Sequence, residues 1–117
     1  MKQQPETAIR SAILTRLSAL RTPDGFRACL VYHRYTGTAR AMTDPSRIIS
    51  IGVPGMADIG GMLADGRALE IEVKTPTGRL SPEQIAWRDT VTSMGALYIL
   101  ARSAEEAEEA VRGALRA

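Results

Sequence analysis

Cysteine and histidine are nearly absent from this sequence, and their scarcity limits the kinds of site it can build. There is one of each, Cys29 and His33. A single cysteine cannot form an internal disulfide, and the two residues supply too few sulfur and nitrogen ligands for a typical zinc site. The apolar neighbours Ala28 and Leu30 predict that Cys29 is buried as a small hydrophobe. A metal in this chain would therefore be held by carboxylates.

Long apolar runs are also missing. The longest fall far short of the roughly 20 residues that cross a bilayer. The N-terminal sequence MKQQPE lacks the apolar stretch of a signal peptide. We therefore expect a soluble, cytoplasmic protein with no membrane partner.

The composition predicts one ordinary globular domain, residues 1–117. Apolar residues make up 44% and charged residues 24% of the chain, close to the average for folded proteins, which argues against disorder. The net charge is only +2, but 13 of the 15 basic residues are arginine, which suits bidentate phosphate contacts. A high genomic GC content gives the same bias, so the charge permits a nucleic-acid partner without requiring one.

The hydrophobic periodicity predicts a mixed α/β sheet flanked by helices. In chain order we expect a helix at 5–20, a strand at 26–35, a long loop at 36–54, a hairpin with strands at 57–63 and 67–75, a helix at 82–94, a strand at 96–101 and a helix at 104–115. The Asp65-Gly66 pair between two apolar runs is a strong hairpin signal. Ser81 followed by Pro82 and Gln84 is typical of a capping box at a helix start.

The second hairpin strand contains RALEIEVK, in which apolar and charged side chains alternate. Residues two apart in a strand share a face. Glu70, Glu72 and Lys74 therefore lie on one face, and Leu69, Ile71 and Val73 lie on the other. The pattern alone favours an ordinary solvated strand face.

Asp58, at the start of the first hairpin strand, makes a functional site the competing interpretation. A two-residue turn at Asp65-Gly66 would put Asp58 opposite Val73 on the apolar face, where a lone carboxylate is costly. We therefore predict a three-residue turn, a bulge at the glycine pair 60–61, or an Asp58 just outside the strand ladder. Each alternative lets Asp58 approach Glu72.

Together these side chains would suit phosphodiester hydrolysis. Asp58 and Glu72 offer two hard oxygen ligands for Mg²⁺ or Mn²⁺, and the backbone carbonyl of Val73 is a candidate third. Lys74 lies two residues along the same face, where it could orient the attacking water and offset charge that develops on a phosphate.

Four segments resemble the VRR-Nuc family of the PD-(D/E)xK nuclease superfamily. They are GVPGMADI at 52–59, EIEVK at 70–74, GRLSPEQIAW at 78–87 and GALY at 95–98. The resemblance covers residues 52–101 and implies a restriction-endonuclease-like fold, α-β-β-β-α-β-α, of the stand-alone phage or bacterial type. It also implies a catalytic core of Asp58, Glu72 and Lys74, with Gln84 beside it and Glu6 completing a Mg²⁺ or Mn²⁺ site. The residue before Asp58 is Ala57, where the family has proline.

The accessory residues have simpler explanations as well. Gln84 satisfies the capping box without catalysis, Glu6 is an ordinary acid in a first helical turn, and Trp87 fits a core position. Glu70 reads as a secondary or structural carboxylate. An edge that contacts DNA through stacking rings and arginines would use Tyr32, Arg34, Tyr35, Arg40, Arg47 and Arg79, and solvated loop residues explain these equally well.

The hypothesis is a metal-dependent DNA endonuclease acting on branched or otherwise structured DNA, such as junctions or flaps. We expect a homodimer, because a small single-domain nuclease must cut two strands. The alternative is a non-catalytic DNA-binding or assembly module that keeps a nuclease-like fold.

Overall fold

The first helix and the last form one side of the molecule. The protein is described from a computed structural model, which covers residues 5–35 and 37–116. Helix α1, Glu6–Ala19, begins after Pro5 and buries Ile9, Ile13 and Leu17 at helical spacing. This confirms the predicted helix at 5–20.

A four-stranded sheet forms the centre. Its strands, with the others in chain order, are β1 (Cys29–His33), β2 (Gly37–Arg40), β3 (Ile48–Ile51), β4 (Ile59–Leu63), β5 (Ala68–Val73) and β6 (Leu97–Ala101). The central sheet has the order β1-β4-β5-β6. Strands β1, β4 and β5 pair antiparallel, while β5 and β6 pair parallel across the helix that joins them. The mixed α/β fold predicted from the sequence is confirmed.

The segment predicted as a long loop at 36–54 is instead largely a hairpin. Strands β2 and β3 pair antiparallel as a separate two-stranded sheet. In its turn, the Asp44 carboxylate accepts bonds from both the amide and the hydroxyl of Ser46, a local arrangement typical of Asp in turns. The prediction was wrong because each strand has only four residues, too short for a clear alternation pattern.

The β4–β5 connection is a three-residue turn, Ala64–Gly66. The Leu63 amide donates to the Arg67 carbonyl at 2.8 Å, and Gly66 has φ +92°, a left-handed value that glycine adopts without strain. Ile59 therefore pairs with Ile71, and the same register aligns Asp58 with Glu72. This confirms the first of the three geometries predicted around Asp58.

Two further helices cover the two faces of the sheet. Helix α2, Pro82–Ser93, begins with the full capping box predicted at Ser81. Helix α3, Ala104–Arg116, is N-capped by Ser103, whose hydroxyl accepts from the Glu106 amide at 3.1 Å. Helices α1 and α3 pack on the apolar face of β5, and Cys29 is buried in the same core, as predicted. Across the described ranges, no helix has both the length and the apolar character needed to span a membrane.

Candidate active site

Strand β5 is buried on both faces, including the one that carries charge. Leu69, Ile71 and Val73 face the core, with exposures of 0%, 0% and 1%. On the opposite face Glu70 and Glu72 are only 5% and 2% exposed. The interpretation as a solvated strand face is therefore wrong, because α2 side chains cover these carboxylates.

Asp58 lies immediately before β4, and its carboxylate turns toward β5. The Val73 amide donates to Asp58 Oδ2 at 2.9 Å. Because the register places Asp58 opposite Glu72, two carboxylates meet at this end of the sheet. The backbone bond fixes the direction of the Asp58 side chain toward Glu72.

Glu72 is the most strongly perturbed acid of the site. Burial raises its pKa, the nearby negative charge of Asp58 raises it further, and the result is a pKa of about 8. Its Oε1 accepts from Gln84 Nε2 at 3.0 Å and lies 3.9 Å from Lys74 Nζ. Asp58 lies within hydrogen-bonding reach of this carboxyl group, and its side chain adds to the raised pKa. Even so, Oε2 is buried and accepts no well-formed hydrogen bond within the described part of the chain.

This arrangement fits a divalent cation chemically. Two hard carboxylate oxygens converge, one of them is buried without a partner, and their mutual repulsion disfavours the doubly charged state. A cation would supply the missing partner and offset that repulsion. No third acid, cysteine or histidine joins them among residues 5–35 and 37–116. Glu6 lies exposed in the first turn of α1.

Gln84 both caps helix α2 and contacts Glu72. Its Oε1 accepts from the Ser81 amide at 2.8 Å, which completes the capping box. Its Nε2 donates to Glu72, as described above. The helix cap therefore holds the glutamine side chain in the direction that reaches the carboxylate.

Glu70 has a full set of partners, and one of them is Arg34. The Arg34 Nη1 and Nη2 atoms donate to the two carboxylate oxygens at 2.6 and 2.8 Å. Trp87 Nε1 donates to Oε1 at 2.7 Å. Arg34 was predicted at the DNA-contacting edge, but its side chain is only 15% exposed and is paired inside the protein. Trp87 is half-buried and lines the site, rather than lying in the main core.

Of the other residues predicted to contact DNA, Tyr32 interacts through its hydroxyl with the Arg34 guanidinium. Tyr32 and Tyr35 are 51% and 71% exposed. Arg47 lies in the β2–β3 turn and Arg79 in the β5–α2 loop, both exposed. Arg40 belongs to β2, and its side chain lies outside the described residues.

Two residues near the site escaped the sequence analysis. Arg102 Nη1 donates to the Thr75 carbonyl and, at 2.8 Å, to the Gly78 carbonyl, which ties the β5–α2 loop to the end of β6. Tyr98 pairs in register with Glu70, and burial together with the charge of Glu72 raises the pKa of its hydroxyl. Both lie on β6 or at its end, and only the parallel β5–β6 register places them here.

Comparison with known proteins gives a consistent result. The family model described as VRR-NUC domain matches residues 4–105. A solved structure described as a VRR_NUC domain aligns with a TM-score of 0.60 and 18% identity, over 92% of this chain and 94% of the other. At that identity the likeness shows a shared fold. The comparison with curated proteins found no match.

Proposed function

The chain belongs to the VRR-NUC domain family, a nuclease-like DNA-processing domain, and from this we propose that it is a Mg²⁺- or Mn²⁺-dependent DNA endonuclease. The observation that carries the proposal is the convergence of Asp58 and Glu72 beside Lys74, with Glu72 Oε2 buried and unpaired among the described residues. A purely structural strand face has no physical reason to bury one acid against a second, half-buried one.

Three groups would hold the cation: the carboxylates of Asp58 and Glu72 and the backbone carbonyl of Val73. The Val73 amide points toward Asp58, and in an extended strand the carbonyl of the same residue points to the same side. Glu6 would complete the set only if the first turn of α1 approaches the site. When bound, the cation supplies Lewis-acid polarisation of the scissile phosphate.

The protein's own side chains would do the rest. Gln84 holds Glu72 in place through its 3.0 Å hydrogen bond. Lys74, with a side chain 14% exposed, presents a positive charge at the rim of the site. There it would orient the attacking water and stabilise negative charge that develops on the phosphate in the transition state.

For the substrate, we propose branched or otherwise structured DNA, cut by a homodimer. The β2–β3 hairpin is separate from the central sheet and carries the exposed Arg47, so it could grip DNA or a second copy. Sedimentation of the purified protein, alone and with a four-way junction, would give the number of copies in each case.

Cleavage assays test the proposal directly. We expect purified protein with Mn²⁺ or Mg²⁺ to cut at least one of labelled junction, flap and duplex DNA. Glu72→Ala and Lys74→Ala should each lower the cleavage rate by about 10²-fold or more, because each removes a group that stabilises the transition state. Glu106→Ala, which changes an exposed acid on α3, serves as the control and should cut at the wild-type rate. Undiminished cleavage by both site variants would defeat the mechanism.

Calorimetry with Mn²⁺ separates this proposal from a non-catalytic DNA-binding module. The wild type should bind Mn²⁺, while Asp58→Asn and Glu72→Gln should bind at least tenfold more weakly. Absence of binding to the wild type at millimolar Mn²⁺, together with intact DNA binding, would favour the module.

Arg79 and Arg47 are predicted to contact phosphates without reading sequence. Each substitution to Ala should reduce the slope of log K against log [salt] by about 1 and weaken binding to all DNAs equally, because each phosphate contact releases about one counterion. Fluorescence anisotropy between 50 and 200 mM salt measures both quantities. Arg67→Ala is a matched control, since this exposed arginine is paired with Asp65 at the far end of the β4–β5 hairpin. An unchanged slope for Arg79→Ala and Arg47→Ala would remove them from the DNA surface.

A further inference from the structure

The backbone ladder between β4 and β5 stops at the site, and a side chain replaces it. The register that pairs Ile59 with Ile71 would next pair Val73 with Ala57. Instead, the Val73 amide donates to the carboxylate of Asp58. The Ala57 carbonyl receives a different donor, Arg34 Nη1, at a long 3.5 Å.

Arg34 reaches that gap by crossing over β4. Its own amide continues the β1–β4 ladder by donating to the Asp58 carbonyl at 2.7 Å. Its guanidinium passes above Gly60, where a Cβ would lie 2.2 Å from Nη2, and ends on Glu70 of β5. Because Gly60 has no side chain, the Arg34 side chain can pass over β4 and reach from β1 to β5.

The far end of this crossing is fixed from two sides. Glu70 accepts both guanidinium nitrogens and, on Oε1, the indole N–H of Trp87 from α2. The hydrogen bond to Glu70 is the largest cause of the raised pKa of Arg34, so the guanidinium stays charged. A planar guanidinium held by a bidentate carboxylate has little freedom to move.

We propose that Arg34 and Glu70 are positioning residues, which hold the Ala57-Asp58 backbone so that the Asp58 carboxylate bonds to the Val73 amide. Arg34 contacts this dipeptide at two points. Its guanidinium donates to the Ala57 carbonyl, and its backbone amide, which the substitution to Met keeps, donates to the Asp58 carbonyl. The role of both residues is positioning rather than contact with the phosphate, because the Arg34 guanidinium and the buried Glu70 carboxylate are bonded to each other. The catalytic consequence rests on the proposed nuclease function, whereas the effect on Asp58 does not.

The test removes both charges together with the double variant Arg34→Met/Glu70→Leu. Losing one partner would leave a buried charge unpaired and could unfold the protein, while replacing both with apolar groups of similar volume is often tolerated. Amide hydrogen exchange by NMR then reports on two neighbours. The Val73 amide depends on Asp58 Oδ2, and the Lys74 amide depends on the Ala101 carbonyl of the β5–β6 ladder, 3.0 Å away.

We expect exchange at Val73 to become at least tenfold faster in the double variant, approaching the rate in Asp58→Ala, while exchange at Lys74 stays within about twofold of the wild type. Gly60→Ala should have the same effect, because its Cβ displaces the guanidinium. The matched double variant Arg112→Met/Glu108→Leu, at an exposed ion pair on α3, should change neither rate. Equal acceleration at both amides, a wild-type rate at Val73, or no effect of Asp58→Ala would each overturn the inference.

Cleavage kinetics test whether this positioning matters for catalysis. Because Arg34 and Glu70 are shielded from DNA, the double variant should lower kcat by about 10²-fold and leave KM unchanged, as expected when a catalytic carboxylate is displaced by about 1 Å. If the wild type cuts no DNA, the proposed nuclease function is wrong. The hydrogen-exchange result would still test whether Arg34 and Glu70 position Asp58. A wild-type kcat in the double variant would overturn the catalytic part.

Discussion

Glu72→Gln is expected to abolish cleavage and at the same time to make the metal-free protein more stable. The variant loses a cation ligand but also removes the cost of burying an acid beside Asp58. The glutamine carbonyl oxygen can keep the bond from Gln84, and its amide can donate to Asp58. Opposite changes in activity and stability are what a site that stores electrostatic strain should show.

The gain in stability should depend on pH in a defined window. The pKa of Glu72 is about 8 in the folded protein against an ordinary value of 4.5. Between these values the folded state holds a proton that the unfolded state has released, so the free energy of unfolding falls as pH rises. Below pH 4.5 this penalty is absent, and above about 8 it is complete. Glu72→Gln should therefore match the wild type near pH 4 and exceed it by on the order of 4 kcal/mol at pH 8.

Urea unfolding in EDTA at pH 4, 6 and 8 measures this difference. Glu70→Gln is a close control on the same strand, and its effect should have the opposite sign because it leaves the Arg34 charge without a carboxylate partner. Saturating Mn²⁺ should narrow the gap between the wild type and Glu72→Gln, since only the wild type gains binding energy. Glu72→Gln less stable than the wild type at pH 8 would contradict the electrostatic account of the site.

The position of Asp58 relative to Glu72 could be predicted because it depends on parity. The two-residue period of a strand and the cost of a buried lone carboxylate left three geometries, and each brought the acids together. The three-residue turn ending at Gly66 occurs, and Asp58 also lies just outside the strand ladder, one residue before β4. The capping box at Ser81 was equally readable, since its residues are adjacent in sequence.

Burial of the charged face could not be predicted from the strand alone. It depends on α2 packing over β5, and the sequence pattern of β5 is the same whether water or Trp87 lies against it. The partnership of Arg34 with Glu70 depends on the register of two strand pairs and on the space at Gly60, and these involve residues 36 positions apart. Local periodicity holds no information about such crossings, so Arg34 was assigned to the surface.

Arg34→Ala alone is expected to destabilise the protein by about 3–5 kcal/mol, because it leaves Glu70 charged and buried with only the Trp87 indole as a partner. A small domain has about 5–15 kcal/mol of total stability, so this single change should remove a large part of it. Arg112→Ala is the matched control. It breaks another Arg–Glu pair, but one whose side chains are 45% and 29% exposed, and should cost less than about 0.5 kcal/mol.

Urea unfolding followed by Trp87 fluorescence reports on both variants, since Trp87 is the single tryptophan of the chain. The double variant Arg34→Met/Glu70→Leu should recover most of the loss, because the unpaired charge is then removed as well. If Arg34→Ala lowered the free energy of unfolding no more than Arg112→Ala does, the Arg34–Glu70 ion pair would be too well hydrated to hold the Ala57-Asp58 backbone. If the single and double variants were equally unstable, the loss would come from packing rather than from an unpaired charge. A recovery in the double variant therefore identifies the unpaired Glu70 charge as the main source of the loss.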